Sequence, residues 1–187
     1  MTDPHSLPGR RAATRRMTKL GMLAAISVVL VALIHFPIFP AADFLEYDPA
    51  DIPIFIGTFA FGPGAGLVLT AVVCVIQGLT VSVKSGIYGI IMHFLATGSF
   101  VLVAGLIYRR GKNIKSALLA LTCGVVTMTL VMVAANLVVT PYYTGMPVEA
   151  VKGLLLPIIV PFNLVKAAAN SLITFLLYKR VSALLHR

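Results

Sequence analysis

Between Leu20 and Phe36, Ile87 and Tyr108, and Ser116 and Val139 the chain runs without a single Asp, Glu, Lys or Arg. A helix needs about 20 apolar residues to cross a bilayer. In that medium every backbone N–H and C=O must find its partner within the structure, which leaves helices or closed barrels as the spanning forms. Runs of this length exclude a water-soluble core. The remaining composition agrees: 59% of the 187 residues are hydrophobic and 11% charged, where soluble domains carry about 25% charge. The chain reads as an all-α integral membrane protein.

Six spans are predicted. The first covers about Leu20 to Phe36 and stops at Pro37 and Pro40. The second starts near Asp51 and ends at the tight turn "FGPGAG"; it is short, and is tilted or buried by its neighbours. The third covers 65–83, the fourth 87–108, the fifth 116–139 and the sixth 162–178. The stretch "VKGLLLPIIVP" is interrupted by Pro157 and Pro161, so it reads as a short helix on the outer face rather than a seventh span. Two units follow: a basic N-terminal tail over residues 1–17, and a membrane domain over 18–187.

Charge sets the orientation. The formal net charge is +9. Arg10, Arg11, Arg15, Arg16 and Lys19 precede the first span; Arg109, Arg110, Lys112 and Lys115 fill one loop; Lys179, Arg180 and Arg187 close the chain. Basic residues flank spans on the cytoplasmic side, so both termini and that loop face the cytoplasm, as an even number of spans requires. No basic face with interleaved aromatics exists, so nucleic acid is not a partner. Cys74 and Cys123 both lie in apolar runs and read as small buried hydrophobes. No His/Cys/Asp/Glu set has the spacing of a metal site. "GLTVSVKS" (78–85) has Val83 where a phosphate loop needs glycine.

Four of the six acidic residues (Asp43, Glu46, Asp48 and Asp51) crowd into the loop "DFLEYDPADIP". Exclusion of basic residues from the outer face accounts for part of this. The Asp/Pro punctuation is more specific: Asp48-Pro49 suits the start of a turn. Asp51 suits a helix N-cap, with Pro53 in the first turn. Such a loop forms a shaped lid.

Ionisable and amide residues inside spans are candidates for function. Lys166 is the only basic residue within a span rather than at its edge. Asn163 and Asn170, at i−3 and i+4, share its helix face, and Asn136 lies at matching depth in the fifth span. With Asp48 above them they frame an outward-facing polar cavity under an apolar rim of Phe44, Leu45, Tyr142 and Tyr143, as a small-ligand site requires. The competing reading is a snorkelling lysine, with amides that join neighbouring helices. His93 reads as a lone histidine bonded to a neighbouring helix; His35 sits at the membrane interface, and His5 and His186 in the tails.

Taken in order, "YDPADIP", "GTFAFGPGAG", "HFLATGSFVLVAGLIYRR" and "VPFNLVKAAANSLITFLLYKR" resemble the substrate-binding (S) components of energy-coupling-factor (ECF) vitamin transporters, in particular the riboflavin-specific subgroup. The likeness covers the chain from Thr18 onward. It implies a six-helix bundle in the bacterial cell membrane that binds riboflavin as transported ligand, with no cofactor and no catalytic residue. It also implies a transmembrane coupling protein and two cytoplasmic ATPases as partners. Asn136, Asn163 and Lys166 match flavin-contacting positions, and Asp48 matches the loop aspartate above the pocket. Gly21 and Ala25 match an A-x-x-x-A docking pattern for the coupling protein, with Gly in place of the first Ala. The chain departs from its relatives at Val73-Cys74, where they carry Lys-Asn, and at His93, where they carry Asn.

Three readings are thus open: a riboflavin-capture subunit, an S component for another vitamin or flavin analogue, and a bundle whose polar residues only join helices. A membrane enzyme built on Lys166 or His93 lacks a partnered acid or nucleophile at matching depth.

Overall fold

The computed structural model describes residues 8–185. His5, His186, Arg187 and the first seven residues of the expected tail lie outside them. Seven helices follow one another: α1 (Pro8–Leu33), α2 (Asp51–Phe61), α3 (Pro63–Leu79), α4 (Gly86–Gly111), α5 (Ile114–Thr144), α6 (Val148–Leu154) and α7 (Val160–Leu185). Between α1 and α2 two short antiparallel strands, β1 (Phe36–Pro37) and β2 (Glu46–Tyr47), pair Phe36 with Tyr47 and Pro37 with Glu46. They close the acidic loop into a ribbon, which its Asp/Pro spacing does not signal.

Four helical stretches are long and apolar enough to cross a membrane: Ala12–Leu33, Val83–Gly111, Ile114–Thr144 and Val148–Tyr178. The other two expected spans, α2 and α3, are shorter. Helix α2 has 11 residues, about 16 Å of rise, and every residue from Asp51 to Phe59 is buried. Its apolar character therefore reflects enclosure by other helices rather than contact with lipid.

Several boundaries differ from the sequence reading, such as the end of α1 at Leu33 and of α3 at Leu79, and two lie beside the α5–α7 connection. Helix α5 continues past Val139 through Pro141 to Thr144, where Gly145, at φ 73°, ends it by donating to the Pro141 carbonyl. The connector holds the expected short helix, α6, but it is continuous with the helix that follows. After α6 the chain makes a π-helical turn over Leu155–Ile159 and runs directly into α7. The wider turn accommodates Pro157 where a regular helix would be broken. Irregular backbone is tolerated at membrane depth where protein or a cavity receives it.

Helix ends are closed locally. Asn113 and Ser116 form a reciprocal capping box at the start of α5. Gly62 turns α2 into α3 at φ 91°, a left-handed value that favours glycine, and Pro63 follows at the first helical position. Small residues then let α2, α3 and α4 approach. A Cβ on Gly66 would lie 2.1 Å from Thr58 Oγ1 and 2.5 Å from Val101, and the Thr58 hydroxyl is held by the Ile54 carbonyl at 2.8 Å. Gly66→Val is therefore expected to lower stability by about 1–3 kcal/mol through overpacking. Thermal unfolding in detergent measures it, and an unchanged midpoint contradicts this packing.

The chain alternates direction, so the bundle has two unlike ends. One end collects the α1–α2 loop, the α3–α4 turn and the α5–α7 connection. At the other, Phe59 stacks on Tyr108 at 4.4 Å and meets Tyr178 edge-on at 5.6 Å. The Tyr108 and Tyr178 hydroxyls are bonded to each other.

Candidate functional site

The first of these ends opens into a cavity. Its empty space, open mouth included, is about 950 Å³. Met128, Met132, Ala96, Met92, Ile90 and Phe162 provide apolar wall. Asn136, Asn163, Lys166 and Asp48 all line it, and Leu45 adds an apolar contact from the loop. The structure thus brings the five predicted ligand residues to one place. Gly21 and Ala25 stand elsewhere, on an exposed face of α1 with Met22, Ile26 and Val29. A Cβ added at Gly21 meets no neighbour within 4 Å.

The bonding of the two cavity asparagines is local. Asn136 is fully buried; its amide N–H donates to the Met132 carbonyl at 2.8 Å and its oxygen accepts from Thr140 at 2.8 Å. Asn163, 1% exposed, donates to the Ile159 carbonyl at 2.8 Å, at the seam between the π-helical turn and α7. All these partners lie on the residue's own stretch of helix. A primary amide has two N–H donors and an oxygen with two acceptor sites. Each asparagine therefore retains a donor and acceptor capacity towards the cavity, and neither joins one helix to another.

Lys166 behaves differently. Its ammonium lies 2.7 Å from Asp48 Oδ2 and donates to the Glu46 carbonyl at 3.3 Å, tying α7 to the acidic loop. With three N–H donors, it keeps one for a ligand. Asp48 is 3% exposed. Its other oxygen accepts from the Ala50 amide at 3.0 Å, a local turn that fixes the chain just before α2. Asp48 is thus a buried partner of Lys166 rather than a solvated group above the pocket.

A second set of bonds extends this strap through Asn170, which shares the Lys166 face of α7 but does not line the cavity. Asn170 donates to the Asp48 carbonyl at 3.0 Å and to Asp51 Oδ2 at 3.3 Å, and accepts from the Tyr47 hydroxyl at 3.0 Å. Burial and the neighbouring Asp48 carboxylate raise the pKa of the Tyr47 phenol, which keeps it a donor. Asp51 also accepts from Thr97 at 2.7 Å and bonds His93 Nε2 at 3.2 Å. The expected N-cap role of Asp51 is therefore corrected. Ala50 holds the cap position and Asp51 is the first helical residue, because its carboxylate is committed to donors on α4 and α7. His93 has the bond to a neighbouring helix that a lone intramembrane histidine needs.

The apolar rim is also narrower than expected. Tyr143 lines the cavity and its ring lies 6.0 Å from that of Tyr88, but Tyr142 is 76% exposed and faces away. Gln77 on α3 lines the cavity as well. The rule that selected Asn136, an amide within a predicted span, applies equally to Gln77.

Comparison with known proteins adds independent findings. Residues 15–178 match the family described as ECF transporter, substrate-specific component. The chain is 33% identical to the riboflavin transporter RibU of Staphylococcus aureus (strain TCH60), over 92% of this chain and 93% of that protein. It is 27% identical to the riboflavin transporter FmnP of Bacillus subtilis (strain 168), over 88% and 90% of the two chains. Among solved structures, the S component of a bacterial ECF transporter superposes with a TM-score of 0.80 at 34% identity, covering 94% of this chain and 99% of that one.

Proposed function

Because the chain belongs to the family of substrate-specific components of ECF transporters, we propose that it is the riboflavin-binding subunit of such an importer. It is a multi-pass protein of the bacterial plasma membrane and a transport component rather than an enzyme. The observation that carries the ligand assignment is the bonding of Asn136 and Asn163. Both are buried at a cavity, bond only within their own helices, and keep donors and acceptors free. Amides placed to join helices would have spent those groups across a helix interface.

The chemistry suits a neutral flavin. Its ring system is flat and largely apolar, and its pyrimidine edge alternates carbonyl acceptors with an N–H donor. Methionine and phenylalanine walls take the ring, the asparagine amides complement the edge, and the remaining Lys166 donor serves a carbonyl. No arginine lines the cavity among the described residues. A phosphorylated flavin would call for such bidentate partners.

In this reading α2, enclosed by its neighbours, and α3, with Val68, Val72, Val75 and Leu79 exposed on one face, complete six crossings, and both termini face the cytoplasm. The cavity end, with Asp43, Glu46, Asp48, Asp51 and Glu149, faces outward; the Arg109–Lys115 end faces inward. A transmembrane coupling protein docks on the open α1 face at Gly21 and Ala25, and two cytoplasmic ATPases drive release. Residues 1–17 contribute basic charge at the inner surface.

Uptake of labelled riboflavin by cells unable to synthesise it tests the assignment. Cells that express the chain with a coupling protein and both ATPases should accumulate the vitamin. Cells that express the chain alone should bind it without accumulation. Accumulation by the chain alone, or no binding in either case, contradicts the proposal.

A further inference from the structure

Among the described residues, three buried side-chain polar atoms have no hydrogen-bond partner: Ser27 Oγ, Ser171 Oγ and Gln77 Oε1. Ser27 and Ser171 do not line the cavity; Gln77 does, and it is 7% exposed. A buried acceptor left unbonded is costly, and such groups are retained where something else completes them. The other end of the Gln77 amide reaches only Ser82 Oγ, at the long distance of 3.5 Å. Turning the amide over would let the oxygen accept from Ser82, but would leave an N–H₂ group in the unpartnered place. In either orientation one polar atom is held ready for a ligand.

The surroundings define what that ligand group is. Gln77 stands near the end of α3; Ser82 and Ser85 follow in the turn to α4, and Tyr88 opens α4. All three hydroxyl residues line the cavity, as do Gly78 and Gly89, which let Ile90 and Ser85 pack close. This wall is rich in groups that both donate and accept, and it carries no charge to favour an ionic ligand group. A polyhydroxylated chain matches it, since each hydroxyl can satisfy Gln77 in either orientation and bond to a serine as well. We infer that Gln77, supported by Ser82, forms a separate polyol subsite on the α3–α4 wall that hydrogen-bonds the sugar-alcohol chain of the bound flavin. The inference rests on the riboflavin reading and assigns the two walls to the two halves of the ligand.

Lumiflavin has the same ring system with a methyl group in place of the ribityl chain, so it separates the halves. Quenching of flavin fluorescence gives the affinity of the purified protein for riboflavin and for lumiflavin. The wild-type protein should bind riboflavin at least tenfold more tightly than lumiflavin. Gln77→Leu should weaken riboflavin about 10- to 100-fold and leave lumiflavin unchanged, which also verifies that the variant is folded. Ser82→Ala should give a smaller loss in the same direction. Equal wild-type affinity for the two flavins overturns the subsite. So does an unaltered riboflavin affinity in Gln77→Leu, or parallel losses for both ligands. A wild-type protein that binds neither flavin overturns the riboflavin reading itself, and the inference with it.

Discussion

Lys166→Met is expected to abolish measurable riboflavin binding and to lower stability by about 3–5 kcal/mol, because it leaves the Asp48 carboxylate buried without its partner. Asp48 is 3% exposed and its Oδ2 lies 2.7 Å from the Lys166 ammonium. Lysine also ties the Glu46 carbonyl to α7, so the loop should loosen as the pair is lost. Loss of binding alone would not separate a ligand contact from a strap. The pair Lys166→Met with Asp48→Asn does so. Asparagine removes the stranded charge and keeps the oxygen that accepts from the Ala50 amide. Thermal unfolding should return most of the way to wild type in the double variant. Riboflavin binding should stay lost, since the free lysine donor is still missing. Recovery of binding together with stability would make Lys166 a structural strap only.

The second large effect separates stability from binding in the opposite way. Asn163→Leu removes an amide that bonds no residue beyond Ile159 on its own stretch of helix, and leucine fills a similar volume. The unfolding midpoint should move little. Riboflavin affinity should fall by about 2–3 kcal/mol, or roughly 30- to 150-fold, as expected when a ligand's polar group meets an apolar side chain. Asn136→Leu should behave alike, with a somewhat larger stability cost because Thr140 also loses its acceptor. A variant destabilised by several kcal/mol but still binding riboflavin normally would support the helix-joining reading.

These contrasts show which features could be read from the chain. Long uncharged runs fix the helical membrane class, because a bilayer leaves the backbone few options. The same logic singles out Asn136, Asn163 and Lys166, as polar groups inside a span need a reason to be there. What stayed hidden depends on contacts between distant segments. Asp51 bonds residues 42, 46 and 119 positions away, namely His93, Thr97 and Asn170. Local spacing instead suggests an N-cap. The burial of Asp48 is of the same kind, since its lysine lies 118 positions on. Pro157 and Pro161 signal a break, but the chain absorbs Pro157 in a π-helical turn, a choice that depends on the packing around it. Gln77 was legible by the intramembrane-amide rule; its unpartnered oxygen was not.

The most direct test of the central claim is the visible absorption spectrum of the protein purified in detergent from cells supplied with riboflavin. The account predicts a flavin spectrum that travels with the protein through gel filtration and is released on denaturation. A colourless protein that also fails to quench the fluorescence of added riboflavin would contradict it.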